Sequence, residues 1–316
     1  MVVKINEPAT MASIPLDILG PGSVGLALAG RLAGVPEVSV RLRVRDAETA
    51  DRLNRTGFVL SEGDTALRRR VAAVAPGTSG PPTEVLVVAV KCPQTAEAAA
   101  AHAAAVGPAT LVVTLQNGLG ADRVLSGVLG RPATVAVTRL AAHRTDNGVR
   151  LVSPGRTWIG PAPAGCEALR DRLIAALNAA GLPAEAADPI GPHVWRKLLV
   201  NAAINAPAAL TGLRNGELAG RPEMVALMRD VLAEALAVAA ALGVPGLPPD
   251  PQAALAETLA VAEATAGNVC SMLADRRAGR PTEIDFINGA LVQRAAEHGF
   301  SVPVNETLVR LVRAAG

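Results

Sequence analysis

A lysine and two asparagines recur at helical spacing in the second half of the chain. Lys197, Asn201 and Asn205 stand four residues apart, so an α-helix places all three on one face. Apart from Asn201, every residue from Leu198 to Ile204 is apolar. Solvent-facing polar positions elsewhere in this chain are mostly Arg, Glu and Asp. The stripe therefore favours a polar cleft over a solvated helix face.

Lysine itself is rare in this protein. Among 30 basic side chains only Lys4, Lys91 and Lys197 are lysines, and the other 27 are arginines. Arginine keeps its charge at any accessible pH, whereas burial can lower the pKa of a lysine until it releases a proton. Compositional drift is the alternative explanation. Lys91 and Lys197, which the pattern places in the interior, therefore suit a role that arginine cannot fill.

A glycine-rich segment follows the first predicted strand and precedes a helical run. Its sequence is Gly20-Pro21-Gly22-Ser23-Val24-Gly25. Glycines at this spacing allow a tight turn and a close backbone approach to a pyrophosphate, which the helix N-terminus then binds. An ordinary glycine-rich turn is the alternative, but the strand–loop–helix context favours a dinucleotide site.

The second predicted strand indicates which dinucleotide is bound. An acidic residue near its end usually holds the ribose 2′-hydroxyl of NAD, whereas arginine there accommodates the 2′-phosphate of NADP. This strand reads Arg41-Leu42-Arg43-Val44-Arg45, with Asp46 only beyond it. A solvated strand face is the alternative. We expect NADP, with Arg43 or Arg45 on the phosphate.

Two further predicted strands end in polar groups. Val85–Val90 runs into Lys91 and, three residues later, Gln94, whereas the strand that ends at Leu115 runs into Gln116 and Asn117. Ligands of open α/β sheets bind at the carboxyl ends of the strands. We therefore expect Lys91 and Asn117 at the same edge as the glycine loop, although each taken singly could be a surface residue or a plain turn.

These side chains need two different scaffolds. Short β-branched runs alternate with helical stretches up to residue 188, which predicts a doubly wound α/β domain over 1–188. Helical patterns alone follow, which predicts an all-α domain over 189–316. The predicted strands are Leu16–Leu19, Val38–Val44, Val85–Val90, Thr110–Leu115 and Thr134–Arg139, with a hairpin turn at Asp146-Asn147-Gly148 and a loose leader over residues 1–15.

The helical half contains further candidate residues. Pro222 and Asp250-Pro251 open two predicted helices, and Thr282-Glu283 and Asn305 resemble the starts of two more. Asn268 and Ser271 are spaced i, i+3 in a helical run. For Glu283, a capping or helix-dipole role is the alternative to a site role.

Composition excludes several function classes. The formal net charge of +2 predicts neither nucleic-acid nor membrane binding, and the longest apolar stretch, from Ala235 to Val244, is too short for a bilayer span. Three cysteines without a C-x-x-C pair argue against disulfides and zinc, and fit a reducing cytoplasm. Four scattered histidines make a metal site unexpected.

Seven motifs in order resemble the ketopantoate reductases (2-dehydropantoate 2-reductases), from Leu16 to about Val312. They are the glycine loop, Val-Lys-x-x-Gln at 90–94, Gln-Asn-Gly-Leu-Gly at 116–120, Trp-Arg-Lys-Leu at 195–198 with Asn201 and Asn205, Asn-Gly-Glu-Leu at 215–218, Asn268 with Ser271, and Thr-Glu-Ile-Asp-Phe-Ile-Asn-Gly at 282–289. The resemblance implies a Rossmann-type domain followed by a helical domain like that of 6-phosphogluconate dehydrogenase.

The resemblance also implies an activity, the NADPH-dependent reduction of 2-dehydropantoate to (R)-pantoate in pantothenate synthesis, and a possible homodimer. Lys197 matches the general acid and Glu283 a residue that orders the active site. Substrate contacts fall on Asn117, Asn201, Asn205, Asn268 and Ser271. Cofactor contacts fall on Gly20, Gly22, Ser23, Val24, Gly25, Arg43, Lys91, Gln94 and Asn117.

Three alternatives stay open at this stage. The nearest is a reductase of the same fold that acts on another 2-oxo acid. A non-catalytic NADP(H) sensor is a second, although a sensor has no need of a proton donor such as Lys197. An opine-type dehydrogenase, which requires an amine as second substrate, is the third.

Overall fold

The structure, a computed structural model, describes residues 13–315 and has two parts, one built on sheets and one built of helices. The strands are β1 Ile14–Leu19, β2 Val38–Arg43, β3 Phe58–Glu62, β4 Thr65–Arg69, β5 Ala72–Val74, β6 Thr83–Val88, β7 Val106–Thr114, β8 Thr134–Thr138, β9 Ala141–Thr145, β10 Gly148–Ser153, β11 Thr157–Ile159 and β12 Ala184–Ala186. The helices are α1 Ser23–Leu32, α2 Ala47–Thr56, α3 Thr95–Ala101, α4 Ala121–Leu129, α5 Glu167–Ala179, α6 Gly191–Thr211, α7 Asn215–Ala219, α8 Pro222–Ala241, α9 Pro251–Ala264, α10 Ser271–Arg277, α11 Asn288–Glu297 and α12 Pro303–Ala314.

The larger sheet has the strand order β12-β11-β8-β7-β6-β1-β2-β5 and is parallel except where β11 joins β8. Helix α1 covers one face, where the side chains of Leu16 and Ile18 are completely buried. Helices α3 and α4 cover the other face over Leu19, Leu86 and Val88. The chain order reverses at β1, which lies between β2 and β6, so the ligand crevice of such a sheet opens at the ends of these strands.

A smaller sheet of order β4-β3-β10-β9 packs against α1 on the side away from the larger sheet. The β9–β10 hairpin turns at the predicted Asn-Gly, with Thr145 opposite Gly148. Strand β10 runs parallel to β3, and both bury apolar side chains such as Leu60 and Leu151. Helix α1, which follows the glycine loop, is therefore enclosed between two sheets.

The helical part packs around α6. Its central residues, including Ala202, Ala203 and Ala206, are fully buried and small enough to let α8, α10 and α12 approach closely. No helix in the described part of the chain combines the length and the apolar character that crossing a bilayer requires.

The structure confirms the predicted fold class and refines several predicted boundaries. All five predicted strands are present, whereas the strands of the smaller sheet other than the hairpin were not predicted. Two predicted helix starts are wrong: α12 begins at Pro303, two residues before Asn305, and Glu283 precedes a short 3-10 turn, with α11 beginning only at Asn288. Most of the predicted leader lies outside the described residues, but Ile14 and Pro15 already belong to β1.

Candidate active site

The glycine loop joins β1 to α1 at the switch point of the larger sheet. Gly20 has φ +107°, which other residues rarely adopt, and a Cβ on Gly25 would lie 2.0 Å from the Gly20 carbonyl oxygen. Gly22 caps α1 without any side-chain hydrogen bond, and Ser23 and Val24 form the first turn. The first-turn N–H groups are therefore available to an anion, which is what a dinucleotide pyrophosphate requires.

The three arginines in β2 and just after it differ in exposure. Asp17 is completely buried and accepts hydrogen bonds from the Nε atoms of both Arg41 and Arg43. The Arg43 side chain is only 7% exposed, whereas that of Arg45 is 90% exposed and, among the described residues, pairs only with its neighbour Asp46, at 2.8 Å. Asp17 engages only the Nε of Arg43, so Arg43 and Arg45 both stay predicted candidates to meet a 2′-phosphate.

Glu283 lies at the centre of the polar groups that join the two parts of the molecule. Its side chain is buried and accepts hydrogen bonds from the Cys92 backbone N–H at 3.3 Å and from Asn117 Nδ2 at 3.1 Å. Lys91 Nζ lies 3.6 Å from Glu283 Oε2 and 2.8 Å from Asp275 Oδ2. The carboxylate therefore connects the ends of β6 and β7 to the helical part, instead of capping a helix.

A backbone contact reinforces this junction. Gly118 has φ +81°, and a Cβ there would lie 1.9 Å from the Phe286 carbonyl oxygen, so only glycine fits. The next residue, Leu119, donates its N–H to the same carbonyl at 2.8 Å. The segment after β7 is thus fixed on the turn that carries Glu283.

Lys197 reaches from α6 to the larger sheet. Its Nζ donates to the Thr138 carbonyl oxygen, at the end of β8, at 2.7 Å. Burial lowers the pKa of Lys197 to about 8, against the attraction of Glu283 and with a smaller contribution from the charge of Arg139. The ammonium group is consequently able to release a proton near neutral pH, which few lysines can do.

The remaining predicted residues are placed less closely together. Asn201 follows Lys197 by one helical turn, and Asn205 is buried a further turn along α6. Neither side-chain amide forms a hydrogen bond within residues 13–315, so both are available to a ligand. Ser271 is exposed at the start of α10, Asn268 precedes it, and Gln94 is exposed just before α3. The structure does not connect these last three to Lys197 by any direct contact.

Three contributors to the candidate site were not predicted from the sequence. Asp275, buried on α10, pairs with Lys91 and at 3.0 Å with Arg280. Asp275 follows Ser271 by four residues on the same helix, and this spacing could have indicated that both lie on one face. The Thr138 carbonyl could be expected only from its position at the end of β8, because a backbone acceptor has no residue-type signature.

The third contributor is an aromatic stack one turn before Lys197. The His193 ring stacks on Trp158 with centroids 4.6 Å apart, and the Arg139 guanidinium carbon lies 5.1 Å from the Trp158 centroid. These residues come from α6, β11 and the segment after β8, so the stack holds the first turn of α6 against the sheet. Nothing in the sequence pattern predicted it.

Comparison with known proteins identifies the family. A profile described as "Ketopantoate reductase PanE/ApbA" matches residues 17–164, and one described as "Ketopantoate reductase PanE/ApbA C terminal" matches residues 190–316. The 2-dehydropantoate 2-reductase of Halobacterium salinarum is 35% identical over 302 residues, which cover 94% of this chain and 97% of that protein.

The comparison with solved structures agrees with these family matches. A PanE/ApbA family ketopantoate reductase from Ralstonia eutropha JMP134 superposes with a TM-score of 0.84 at 31% identity, covering 95% of this chain and 97% of the other. A D-mandelate dehydrogenase in complex with NADH and anilino(oxo)acetate gives a TM-score of 0.87 at 22% identity, with 95% and 97% covered, and at that identity shows the fold alone. With the profile matches and the close relative taken together, the chain belongs to the ketopantoate reductase family.

Proposed function

We propose that this protein is an NADP-dependent oxidoreductase that reduces 2-dehydropantoate to (R)-pantoate with NADPH. Family membership supports the substrate and the cofactor. The observation that carries the proposal is Lys197, an ammonium group with a pKa of about 8, held on the Thr138 carbonyl close to the charge of Glu283. A binding module or redox sensor has no need of such an acid.

The proposed division of labour follows the two parts of the molecule. Residues 1–188 bind the cofactor, with Gly20, Gly22, Ser23, Val24 and Gly25 around its pyrophosphate, because the uncapped start of α1 offers free N–H groups. Lys91, Gln94 and Asn117, at the ends of β6 and β7, belong to the nicotinamide end. Residues 189–316 contribute most of the substrate contacts.

Within this site the chain has to position the substrate and move one proton. NADPH, when bound, would supply the hydride for the ketone carbon. Lys197 donates its proton to the ketone oxygen, so the carbonyl becomes a hydroxyl and the lysine becomes a neutral amine, which solvent then reprotonates. A positioned acid of this kind typically contributes about 10²–10⁴ in rate. The positive charge also stabilises the developing alkoxide.

The substrate contacts are assigned by position. The free amides of Asn201 and Asn205 follow Lys197 along the same face of α6, where they can hold oxygens of the substrate beyond the reacting carbonyl. Ser271 begins α10 and Asn268 precedes it by three residues, so both are close in sequence to the Asp275 that pairs with Lys91. Their proposed role is to bind the substrate carboxylate.

One assay tests the proposed function. The purified protein is given 2-dehydropantoate or a panel of other 2-oxo acids, with NADPH or NADH, and the loss of reduced-cofactor absorbance is followed. We expect the highest kcat/KM with 2-dehydropantoate and NADPH. Equal rates with 2-oxo acids that lack the 4-hydroxyl would favour the related reductase, and a lack of turnover with every acid would favour the sensor.

Two lesser proposals accompany the function. Three free, buried cysteines support a cytoplasmic location. An apolar groove between the end of α6, α8 and α12, with Leu311 49% exposed, supports a homodimer through this face. Size-exclusion chromatography with light scattering would test the dimer, and a monomeric mass at all concentrations would contradict it.

A further inference from the structure

Arg139 lies directly after the residue whose carbonyl oxygen accepts the Lys197 ammonium group. Thr138 ends β8 and provides that oxygen at 2.7 Å, so Arg139 begins the segment that leaves the sheet beside Lys197. The Arg139 N–H donates to the Arg156 carbonyl oxygen at 2.9 Å. Gly155, with φ +51°, packs against the Arg139 carbonyl so closely that no Cβ fits there. The backbone at Arg139 is therefore fixed by the neighbouring segment as well as by β8.

The Arg139 side chain is held over the ring of Trp158. Its guanidinium carbon lies 5.1 Å from the ring centroid, within the range of a cation–π contact, and His193 of α6 stacks on the same ring. Burial lowers the pKa of both Lys197 and His193 against the attraction of nearby carboxylates, and the positive charge of Arg139 adds to this lowering at each. The guanidinium thus lies within electrostatic range of the first two turns of α6.

No carboxylate among the described residues forms an ion pair with Arg139, which is exposed. The other permanent cation of the junction, Lys91, is neutralised by Asp275 at 2.8 Å and Glu283 at 3.6 Å. Lys197 has to give up its proton during the proposed reaction, so its charge is not permanent. Arg139 therefore provides a lasting positive charge beside the proton donor, and a bound anion would match it.

A 2-oxo acid brings an anion to this position. Its carboxylate is attached directly to the ketone carbon, so a cation that binds the carboxylate must lie close to the group that protonates the ketone oxygen. The other proposed carboxylate ligands, Asn268 and Ser271, are neutral.

We propose that Arg139 binds the carboxylate of the substrate while Lys197 faces the ketone oxygen. The inference rests on the proposed function and deepens it, because it assigns the requirement for a carboxylate next to the ketone to a residue of the sheet part. The contact with Trp158 holds the guanidinium in place before the substrate arrives, which lowers the entropic cost of binding.

A comparison of 2-dehydropantoate with its uncharged primary amide tests this assignment. Arg139→Met keeps a long apolar side chain beside Trp158 but removes the charge. We expect kcat/KM for the acid to fall at least about tenfold, as the loss of a hydrogen bond between charged groups predicts, and kcat/KM for the amide to change less than about twofold. The KM for NADPH should stay the same. The preference for the acid over the amide should therefore fall at least about fivefold.

Two further variants serve as controls. Arg139→Lys keeps the charge without the planar fork of donors, and should recover part of the preference for the acid. Arg156→Met removes a neighbouring arginine that Glu185 already neutralises at 2.9 Å, and should leave the preference unchanged.

An Arg139→Met variant that prefers the acid as strongly as the wild type, or that loses activity equally toward acid and amide, overturns the inference and leaves the proposed function intact. Wild-type protein that reduces a different 2-oxo acid contradicts the proposed substrate, and the same comparison of that acid with its amide then decides the role of Arg139. Wild-type protein that reduces no 2-oxo acid overturns both proposals.

Discussion

The two lysines of the junction occupy contrasting environments. Lys91 comes from the sheet part and pairs with Asp275 and Glu283 of the helical part; Lys197 comes from the helical part and donates to a backbone carbonyl of the sheet part. Burial lowers the pKa of both, but the two carboxylates more than offset it at Lys91, whose pKa is raised. At Lys197 burial prevails and the pKa falls to about 8.

The two environments give the two lysines different chemistry: Lys91 is a permanent positive charge, whereas Lys197 can transfer its proton. A lysine between two carboxylates keeps its proton at every physiological pH and can act only as a cation and a link between the two parts. A lysine on a neutral acceptor in a buried position keeps its proton weakly. Residue type alone does not distinguish the two roles, whereas the partner of each ammonium group does.

Replacing each lysine with arginine should give the largest difference in kcat between the two positions. We expect Lys197→Arg to keep the fold and the affinity for NADPH but to lose about 10²–10⁴ in kcat, because a guanidinium cannot release its proton. Lys91→Arg can keep its pairing with Asp275 and Glu283, and should lose no more than about tenfold. Steady-state kinetics of both purified variants decides this, and near wild-type turnover of Lys197→Arg would end its assignment as proton donor.

Neutralising Glu283 should affect both lysines at once. Glu283→Gln removes a charge that raises the pKa of each lysine, and weakens the contacts to Asn117 and the Cys92 N–H. We expect kcat to fall at least about tenfold, the cost of about one buried hydrogen bond to a charged group. The pH at which activity declines should also move below the wild-type value. An unchanged pH profile would contradict the proposed electrostatic connection to Lys197.

The wild-type pH profile should report Lys197 and not Lys91. The active form carries the proton, and the folded-state pKa is lowered to about 8, so kcat should be constant below that pH and fall about tenfold per unit above it. The raised pKa of Lys91 predicts no further change near neutrality. Single-turnover rates with saturating NADPH give the cleanest measurement, and a profile that stays flat up to the ordinary lysine pKa would contradict the assignment.

Loosening the aromatic stack should have the smallest effect. Trp158→Ala removes the ring between His193 and Arg139, so the first turn of α6 loses its contact with β11. We expect kcat to drop about threefold with little change in the KM for NADPH, because misplacement of a catalytic group by a fraction of an ångström costs rate and not cofactor affinity. Trp158→Phe should restore most of the turnover. A failure of phenylalanine to rescue would mean that the stack does not act by packing.

Local patterns allowed much of this arrangement to be predicted. The apolar run at Val85–Val88 specified a strand covered on both faces, and the i, i+4, i+8 spacing of Lys197, Asn201 and Asn205 specified one face of a helix. These features depend on periodicity within one element. The smaller sheet was harder to predict, because β3 and β4 are short and β4 is largely exposed, which leaves no apolar alternation to detect.

Contacts between distant segments could not be derived from the sequence pattern. The sequence showed Asp17 only as part of the first strand. Its hydrogen bond from Arg43 depends on the pairing of β1 with β2, which places Asp17 beside Arg41. Asp275 pairs with Lys91, which lies 184 residues earlier in the chain, and the stack of Trp158 on His193 joins β11 to α6. Such pairings depend on how the elements pack, which residue types and spacing do not encode.

The most direct measurement of the central claim is the pKa of each lysine by NMR. Reductive methylation with ¹³C-formaldehyde labels only the N-terminal amine and the three lysines, so the spectrum is simple, and the Lys91→Arg and Lys197→Arg variants assign the two internal signals. We predict that Lys197 titrates near pH 8 and that Lys91 titrates above the ordinary lysine value of about 10.4. Two signals that titrate together at that ordinary value, or a Lys197 signal that titrates above that of Lys91, would contradict the proposed roles.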